Sequence, residues 1–128
     1  MDKKVRALKV FLVEDSALLR KRLEAMLTGL PGTEVVGHAG EAAAAVGGIL
    51  EALPDVVVLD IQLEKGNGFD VLRELAGRAP QVRVYVLTNF ANEAYRAAAE
   101  RLGASGFFDK SNDIERLREA LAAAAAAL

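Results

Sequence analysis

Polar side chains suited to metal or phosphoryl chemistry follow short apolar runs at several points in this 128-residue sequence. In chain order these residues are Glu14, Asp15, Asp60, Thr88 and Lys110. Carboxylates gathered in one place bind a hard divalent cation through their oxygens, and Mg²⁺ is the expected choice. A carboxylate beside Mg²⁺ and a lysine is in turn a suitable nucleophile for phosphoryl transfer. These residue types therefore predict a Mg²⁺-dependent phosphoryl-accepting site with Asp60 as the acceptor.

The charge balance of such a site requires cations. Two carboxylates about 4 Å apart repel each other by about 4 kcal/mol at an effective dielectric constant near 20. Lys110 can supply one positive charge, and a bound Mg²⁺ can supply two more. We therefore expect Lys110 to lie among the carboxylates.

Each of these residues alone also has a plainer structural explanation. An acidic pair after a strand is often a turn followed by a helix N-cap, which is the alternative for Glu14 and Asp15. A threonine at a strand end is usually a capping hydroxyl, and a lysine there is usually a solvated charge. The site prediction therefore depends on a fold that brings all five residues to one edge of a sheet.

Two kinds of hydrophobic pattern alternate along the chain. Short aliphatic runs predict strands over Leu8–Val13, 34–39, Val56–Leu59, 82–87 and Gly106–Asp109. Apolar residues three and four apart predict helical segments over 19–30, 41–53, 69–76, 92–102 and 114–128. The expected helix boundary signals are Ser16 as an N-cap, Pro31-Gly32 as a stop, and Asn112-Asp113-Ile114-Glu115 as a capping box.

Alternating strands and helices in a chain of this length predict an α/β fold, an open parallel sheet with helices on both faces. A (βα)₈ barrel needs nearly twice the length. Ligands of doubly wound sheets bind outside the carboxyl ends of the strands, which is where the five polar residues are expected. The fold and the site predictions therefore agree.

The composition limits the classes of function. The chain has no cysteine and a single histidine, His38, so thiol chemistry and histidine zinc sites are not expected and His38 is assigned no role. The 16 basic and 18 acidic residues give a net charge of −2, which disfavours direct binding to nucleic acid or a membrane surface. No membrane-spanning run or signal peptide is recognisable, so we expect a cytoplasmic protein. The length predicts one domain over residues 1–128, with a core over 8–121 and an alanine-rich helix end over 122–128 that is natural or left from cloning.

The strand-end motifs resemble those of the receiver domain of two-component response regulators, from about Lys9 to Leu121. The matching segments are Val13-Glu14-Asp15-Ser16, Val58-Leu59-Asp60-Ile61, Val86-Leu87-Thr88-Asn89 and residues 103–110. This resemblance implies a flavodoxin-like sheet with strand order 2-1-3-4-5 and a phosphoprotein of bacterial signalling. It also implies that Asp60 accepts its phosphoryl group from a histidine kinase or a histidine phosphotransfer domain.

The resemblance further implies which residues bind the metal. By analogy with the family, Glu14, Asp15 and Asp60 bind Mg²⁺ through their carboxylates, and Gln62 contributes its backbone carbonyl. Lys110 then corresponds to the lysine of the family site.

A switch is implied as well. Thr88 corresponds to the family's switch hydroxyl and Phe107 to its switch aromatic, three residues before Lys110. In receivers the signal passes to the face of the fourth helix, the fifth strand and the fifth helix. A downstream protein or a second copy of the chain would bind that face.

This sequence departs from the family pattern in two places. Many receivers have proline after the lysine, often with a cis peptide bond, whereas Ser111 stands here and a trans bond is expected. Many receivers also have tyrosine at the switch position, whereas Phe107 has no hydroxyl. Its coupling to the site must therefore rely on packing.

Two other functions fit parts of the pattern. Haloacid-dehalogenase phosphatases also use an aspartate after an apolar strand, but they normally have a second aspartate two residues later, where this chain has Gln62. A pseudo-receiver that only docks to partners is the other alternative. The complete set of acidic, hydroxyl and lysine residues disfavours it, and metal binding would separate the two cases.

Overall fold

The alternating pattern folds into strands and helices in strict β-then-α order. The computed structural model describes residues 6–128, so residues 1–5 of the predicted domain lie outside the described residues. The strands are β1 (Leu8–Val13), β2 (Thr33–Ala39), β3 (Val56–Leu59), β4 (Arg83–Thr88) and β5 (Gly106–Asp109). The helices are α1 (Ala17–Thr28), α2 (Ala42–Ala52), α3 (Gly68–Arg78), α4 (Glu93–Arg101) and α5 (Ile114–Ala126).

The strands form one parallel sheet in the order β2-β1-β3-β4-β5, which confirms the predicted flavodoxin-like α/β fold. The central strand β3 is buried along its whole length, and its run of four apolar residues reflects burial of both sheet faces. Leu59 at its end pairs with Val13 of β1 and with Val86 of β4. The carboxyl ends of these three strands therefore lie along one edge of the sheet.

The helices cover the two faces of the sheet and form two hydrophobic cores, because successive side chains of a strand point to opposite faces. Val57 lies in the core beneath α2, α3 and α4, together with Ile49. Val58 lies in the other core, with Leu27 of α1 and Leu121 of α5. Burying a side chain of this size contributes about 1.5–3 kcal/mol. The sheet is therefore held from both sides and gives firm support to the loops at its edge.

At the other end of the strands, where they begin, Asp55 links β1, β3 and β4. Its carboxylate accepts a hydrogen bond from the Lys9 N–H (2.8 Å) and pairs with the Arg6 guanidinium (2.6 Å). Its backbone carbonyl accepts from the Arg83 N–H (3.1 Å). Burial raises the pKa of Asp55, but the Lys9 hydrogen bond and the Arg6 charge outweigh it and hold the pKa below its ordinary value. The charged carboxylate therefore stabilises this end of the sheet.

The predicted stop of α1 at Pro31-Gly32 was wrong. The helix ends at Thr28, and Gly29 is its C-cap. The hydroxyl of Thr33, at the start of β2, donates to the carbonyl of Leu27 (2.8 Å) and so satisfies part of the exposed helix end. A contact from the next strand thus allows the helix to end before the proline.

The N-cap prediction is correct for α1 and wrong for α5. The Ser16 cap of α1 is confirmed, because its hydroxyl accepts from the Leu19 N–H at 3.2 Å. The capping box predicted for α5 was wrong, because the side chain of Asp113 makes no capping bond to the helix. Its carboxylate accepts instead from the N–H of Asp109 (2.9 Å), at the end of β5.

Two further expectations concern the described chain as a whole. Within residues 6–128 every peptide bond is trans, as predicted for the bond between Lys110 and Ser111. Over the same residues no helix has both the length and the apolar character needed to cross a membrane.

Candidate functional site

The sheet itself positions the polar residues, because their backbones continue the strand pairing past the strand ends. The Asp60 N–H donates to the Val13 carbonyl of β1 at 3.0 Å. The Lys110 N–H donates to the Thr88 carbonyl of β4 at 3.0 Å. The Glu14 N–H donates in the same way to the last residue of β2 at 2.9 Å. The backbones of these residues are therefore fixed by the fold rather than by flexible loops.

Lys110 lies between two buried carboxylates, as its sequence position predicted. Its Nζ is 2.8 Å from Glu14 Oε1 and 3.0 Å from Asp60 Oδ2. Both carboxylate side chains are only 3% exposed, and the lysine side chain is 11% exposed. Charge-assisted hydrogen bonds of this kind are stronger than neutral ones, and they offset the repulsion between the two carboxylates.

The remaining oxygens of the two carboxylates accept bonds from nearby backbone. Glu14 Oε2 accepts from the Ser16 N–H, and Asp60 Oδ1 accepts from the Gln62 N–H, each at 3.0 Å. No buried side-chain nitrogen or oxygen among the described residues lacks a partner. Both carboxylates are thus held in defined orientations.

Burial shifts the protonation of this cluster. It raises the pKa values of Glu14 and Asp60 above their ordinary range, and the hydrogen bonds from Lys110 only partly oppose the shift. Burial by itself would lower the pKa of Lys110, but hydrogen bonds to Glu14 and Asp60 and their charges raise it instead. The ammonium is therefore a permanent charge at neutral pH, whereas the carboxylates hold protons more tightly than exposed ones do.

Asp15 completes an acidic cluster open to solvent. One carboxylate oxygen from each of Glu14, Asp15 and Asp60 lies within 4.8 Å of the other two. Asp15 is exposed, whereas the other two are buried. Ser16, not Asp15, caps α1, so the capping explanation does not account for Asp15. An oxygen-only donor set with a solvent-facing side fits Mg²⁺, which keeps several waters when it binds to protein.

The two predicted switch residues are buried in the neighbouring strands β4 and β5. Thr88, at the end of β4, is fully buried, and its hydroxyl accepts from the Phe90 N–H at 3.0 Å. Phe107 of β5 is 5% exposed, and the guanidinium carbon of Arg96 lies 4.8 Å from the centre of its ring. The aromatic ring is therefore buried, with a cation from α4 over one face.

The loop after Asp60 returns close to the strand that it leaves. Gly68, the first residue of α3, donates its N–H to the Ile61 carbonyl at 3.0 Å. A Cβ at this position would lie 2.5 Å from the Asp60 carbonyl oxygen. The side chain of Gln62 points to another element, since its Nε2 lies 3.4 Å from the Tyr95 hydroxyl of α4. The role predicted for the Gln62 backbone carbonyl stays a prediction.

Sequence reasoning missed several residues around the site. Asp109 and Asp113 flank Lys110 and bond to each other across the turn, although the sequence suggested only a helix cap there. Two aspartates four positions apart around a lysine were the available signal. Nothing in the sequence singled out Tyr95, or Gly68 as a position where the backbone approaches closely.

Comparison with protein families identifies the pattern. The family described as "Response regulator receiver domain" matches residues 10–122. Among curated proteins, the DNA-binding transcriptional activator DevR/DosR of Mycobacterium tuberculosis is 40% identical over 102 residues, covering 80% of this chain and 47% of the relative. A protein-glutamate methylesterase/protein-glutamine glutaminase of Anaeromyxobacter dehalogenans is 37% identical over 135 residues, covering 95% of this chain and 36% of the relative. The chain thus spans less than half the length of these two relatives.

Solved structures give the same result. The response regulator domain of Thermotoga maritima CheB superposes with a TM-score of 0.84 at 28% identity, covering 94% of this chain and 95% of that domain. A LuxR-family two-component response regulator from Aurantimonas sp. SI85-9A1 superposes with a TM-score of 0.87 at 29% identity, covering 94% of this chain and 86% of that one. The fold, the strand-end residues and the family match therefore agree with one another.

Proposed function

Because this chain belongs to the response regulator receiver domain family, a family of signalling switches, we propose that Asp60 is its phosphoryl acceptor. The donor is a histidine kinase or a histidine phosphotransfer domain. The observation that carries the proposal is the bridge from Lys110 Nζ to Asp60 and Glu14, with Asp15 alongside. Residues 8–121 form the receiver core, and the alanine-rich segment that follows is the last part of α5, which ends at Ala126.

Glu14, Asp15 and Asp60 would hold Mg²⁺ through their carboxylates, with the Gln62 backbone carbonyl as a further oxygen ligand. Bound Mg²⁺ supplies positive charge that offsets the charge of the carboxylates and of the phosphoryl oxygens. Lys110 contributes a second, permanent charge at the same place. An anionic donor can approach three carboxylates only when both charges are present.

The chemical step transfers the phosphoryl group without net redox change. A carboxylate oxygen of Asp60 forms a bond to phosphorus as the P–N bond to the donor imidazole breaks, and the electron pair of that bond stays on the nitrogen. Fixed backbone and side-chain contacts around Asp60 support this role, because positioning and charge neutralisation do most of the work in phosphoryl transfer.

Phosphorylation would change the surface through Thr88 and Phe107. The Thr88 hydroxyl is available to donate to a phosphoryl oxygen, because in the present structure its oxygen only accepts a bond from Phe90. A shift of that side chain alters the packing next to Phe107, which touches the face made by α4, β5 and α5. That face would bind a downstream protein or a second copy of the chain when Asp60 is phosphorylated.

The family match favours this function over the two alternatives from the sequence. A phosphatase of the haloacid-dehalogenase type would need an acid at the position of Gln62, whose amide lies against Tyr95. A docking-only module would not need the Lys110 bridge. DNA binding and methylesterase activity belong to the named relatives, which are more than twice as long as the part that matches.

Intact-mass analysis with acetyl phosphate tests the proposed acceptor. We expect one added phosphoryl group in the presence of Mg²⁺, none in excess chelator, and none in Asp60→Asn. Equal labelling of Asp60→Asn, or full labelling in chelator, would refute the assignment.

Metal binding is tested with a matched pair of neighbouring variants. Asp15→Ala should weaken Mg²⁺ binding strongly, because it removes one of three clustered carboxylates. Ser16→Ala, which removes only the cap of α1, should bind Mg²⁺ as the wild type does. Similar Mg²⁺ affinity in the two variants would rule out Asp15 as a ligand.

A further inference from the structure

The turn between β5 and α5 is closed on itself by two carboxylates. Asp113 Oδ2 accepts from the Asp109 N–H at 2.9 Å, and the Asp109 carbonyl accepts from the Asp113 N–H at 2.8 Å. Asp109 Oδ1 accepts from the Ser111 N–H at 2.8 Å, and its Oδ2 accepts from the Asn112 side chain at 3.2 Å. Lys110 is inside this closed loop of bonds.

Every backbone N–H from Asp109 to Asp113 has an acceptor. The Asn112 N–H donates to the Asp109 carbonyl (3.3 Å), and the Lys110 N–H donates to Thr88 across the sheet. A turn with no free donor has few alternative conformations at low energy, because any change breaks at least one bond. The backbone of Lys110 is therefore fixed on both sides, toward β4 and toward α5.

Asp113 occupies the N-cap position of α5 but does not cap it. Its carboxylate reaches back to Asp109 on the outer edge of the sheet, since β5 is an edge strand. Its other oxygen pairs with Arg116 at 3.3 Å, so the carboxylate is held between the strand and the helix. A residue that only capped α5 would accept hydrogen bonds from the first N–H groups of that helix.

We propose that Asp113 is a positioning residue for Lys110: its bond to Asp109 fixes the turn that aims the ammonium at Asp60 and Glu14. The inference rests on the proposed function, because it assigns Lys110 a role in phosphoryl uptake. Lys110 has a flexible side chain, and two bonds of 2.8 and 3.0 Å to buried carboxylates require its backbone to be well placed.

Three substitutions of Asp113 distinguish its role in the turn from a role in capping α5. Asp113→Asn keeps an oxygen that can accept from Asp109, and phosphoryl uptake should stay within about twofold of the wild type. Asp113→Ala removes the bond, and because a displacement of about 1 Å can cost up to about 100-fold in rate, uptake should slow at least about tenfold. Asp113→Ser supplies a good helix cap but is too short to reach Asp109, so it should fold stably and still be slow.

Asn92→Ala is the matched control elsewhere in the chain. Asn92 Oδ1 accepts from the Tyr95 N–H at 2.9 Å, so the substitution removes a similar bond at the start of α4. It should leave uptake within about twofold of the wild type, although it lowers stability. Equal slowing by Asn92→Ala and Asp113→Ala would show a general loss of stability and overturn the proposal.

The ammonium of Lys110 gives a readout that needs no phosphorylation. The ¹⁵N shift of its Nζ and the exchange of its protons with water should change in Asp113→Ala and Asp113→Ser, and not in Asp113→Asn or Asn92→Ala. An unchanged Lys110 signal in Asp113→Ser, with uptake at the wild-type rate, would refute the positioning role. A wild type that takes up no phosphoryl group would refute the proposed function, while the Lys110 signal would still decide the role of Asp113.

Discussion

Gly68 offers a direct test of how the loop after Asp60 is packed. A Cβ added to this buried residue would lie 2.5 Å from the Asp60 carbonyl oxygen and 2.6 Å from the Ile61 Cα. Both neighbours are backbone atoms, so neither can rotate away as a side chain would. The substitution Gly68→Ala must therefore push α3 away from the end of β3.

The expected cost follows from this overlap. Ordinary contact begins at 3.4 Å, so the new atom is about 0.9 Å too close. Overpacking of this kind costs about 1–3 kcal/mol, and alanine recovers about 0.5–1 kcal/mol through its better helix propensity. The free energy of unfolding should fall by about 1–2 kcal/mol, and the amide signals of Asp60 and Ile61 should shift.

Gly77 provides the control in the same helix. It is exposed, and a Cβ there would meet nothing within 4 Å. Gly77→Ala should raise the free energy of unfolding by about 0.5–1 kcal/mol. Urea unfolding followed by circular dichroism would measure both variants, and the two midpoints should differ by about 1 M. A Gly68→Ala variant as stable as Gly77→Ala would refute this account of the packing.

Three other predictions concern charge and capping. Asp55→Asn should lower the free energy of unfolding by about 1 kcal/mol at pH 7. Because the pKa of Asp55 is held below its ordinary value of 3.8, this difference in stability between variant and wild type should disappear as the pH falls below that value, which urea unfolding at several pH values would measure. Mg²⁺ at ten times the Kd measured at pH 7.5 should stabilise the protein by about 1.4 kcal/mol at that pH. The same Mg²⁺ concentration should stabilise it less at pH 5, because the raised pKa values of Glu14 and Asp60 let protons compete with the metal; equal shifts of Tm would contradict this. Ser16→Ala should cost about 1 kcal/mol in urea unfolding, and a neutral effect would mean that the cap contributes nothing.

The strands and the site edge could be predicted because their signals are local. An aliphatic run such as Val56–Leu59 is buried on both faces, and Asp60 directly after it must lie at the carboxyl end of the sheet. Each strand boundary was predicted to within one residue for the same reason. The convergence of Glu14, Asp60 and Lys110 then follows from the strand order.

The details that sequence reasoning missed depend on contacts between segments. The end of α1 is set partly by the Thr33 hydroxyl from the next strand, which no helical pattern can reveal. Asp113 bonds to β5 instead of capping α5, because the Asp109 N–H on the outer side of the edge strand is free to donate to its carboxylate. Glycine is required at position 68 because the loop brings the start of α3 against the backbone of Asp60 and Ile61, and not because of a local turn.

The strand order also has a consequence for how the chain acquires its site. Glu14, Asp60 and Lys110 belong to β1, β3 and β5 connections, and the Lys110 to Asp60 bond closes a separation of 50 residues. Pairings between distant parts of a chain form late in folding, because loop-closure entropy must be overcome first. During synthesis the two carboxylates emerge long before the lysine. A partly folded or truncated chain therefore cannot bring Glu14, Asp60 and Lys110 together, and activity at this site requires that β1, β3, β4 and β5 have paired.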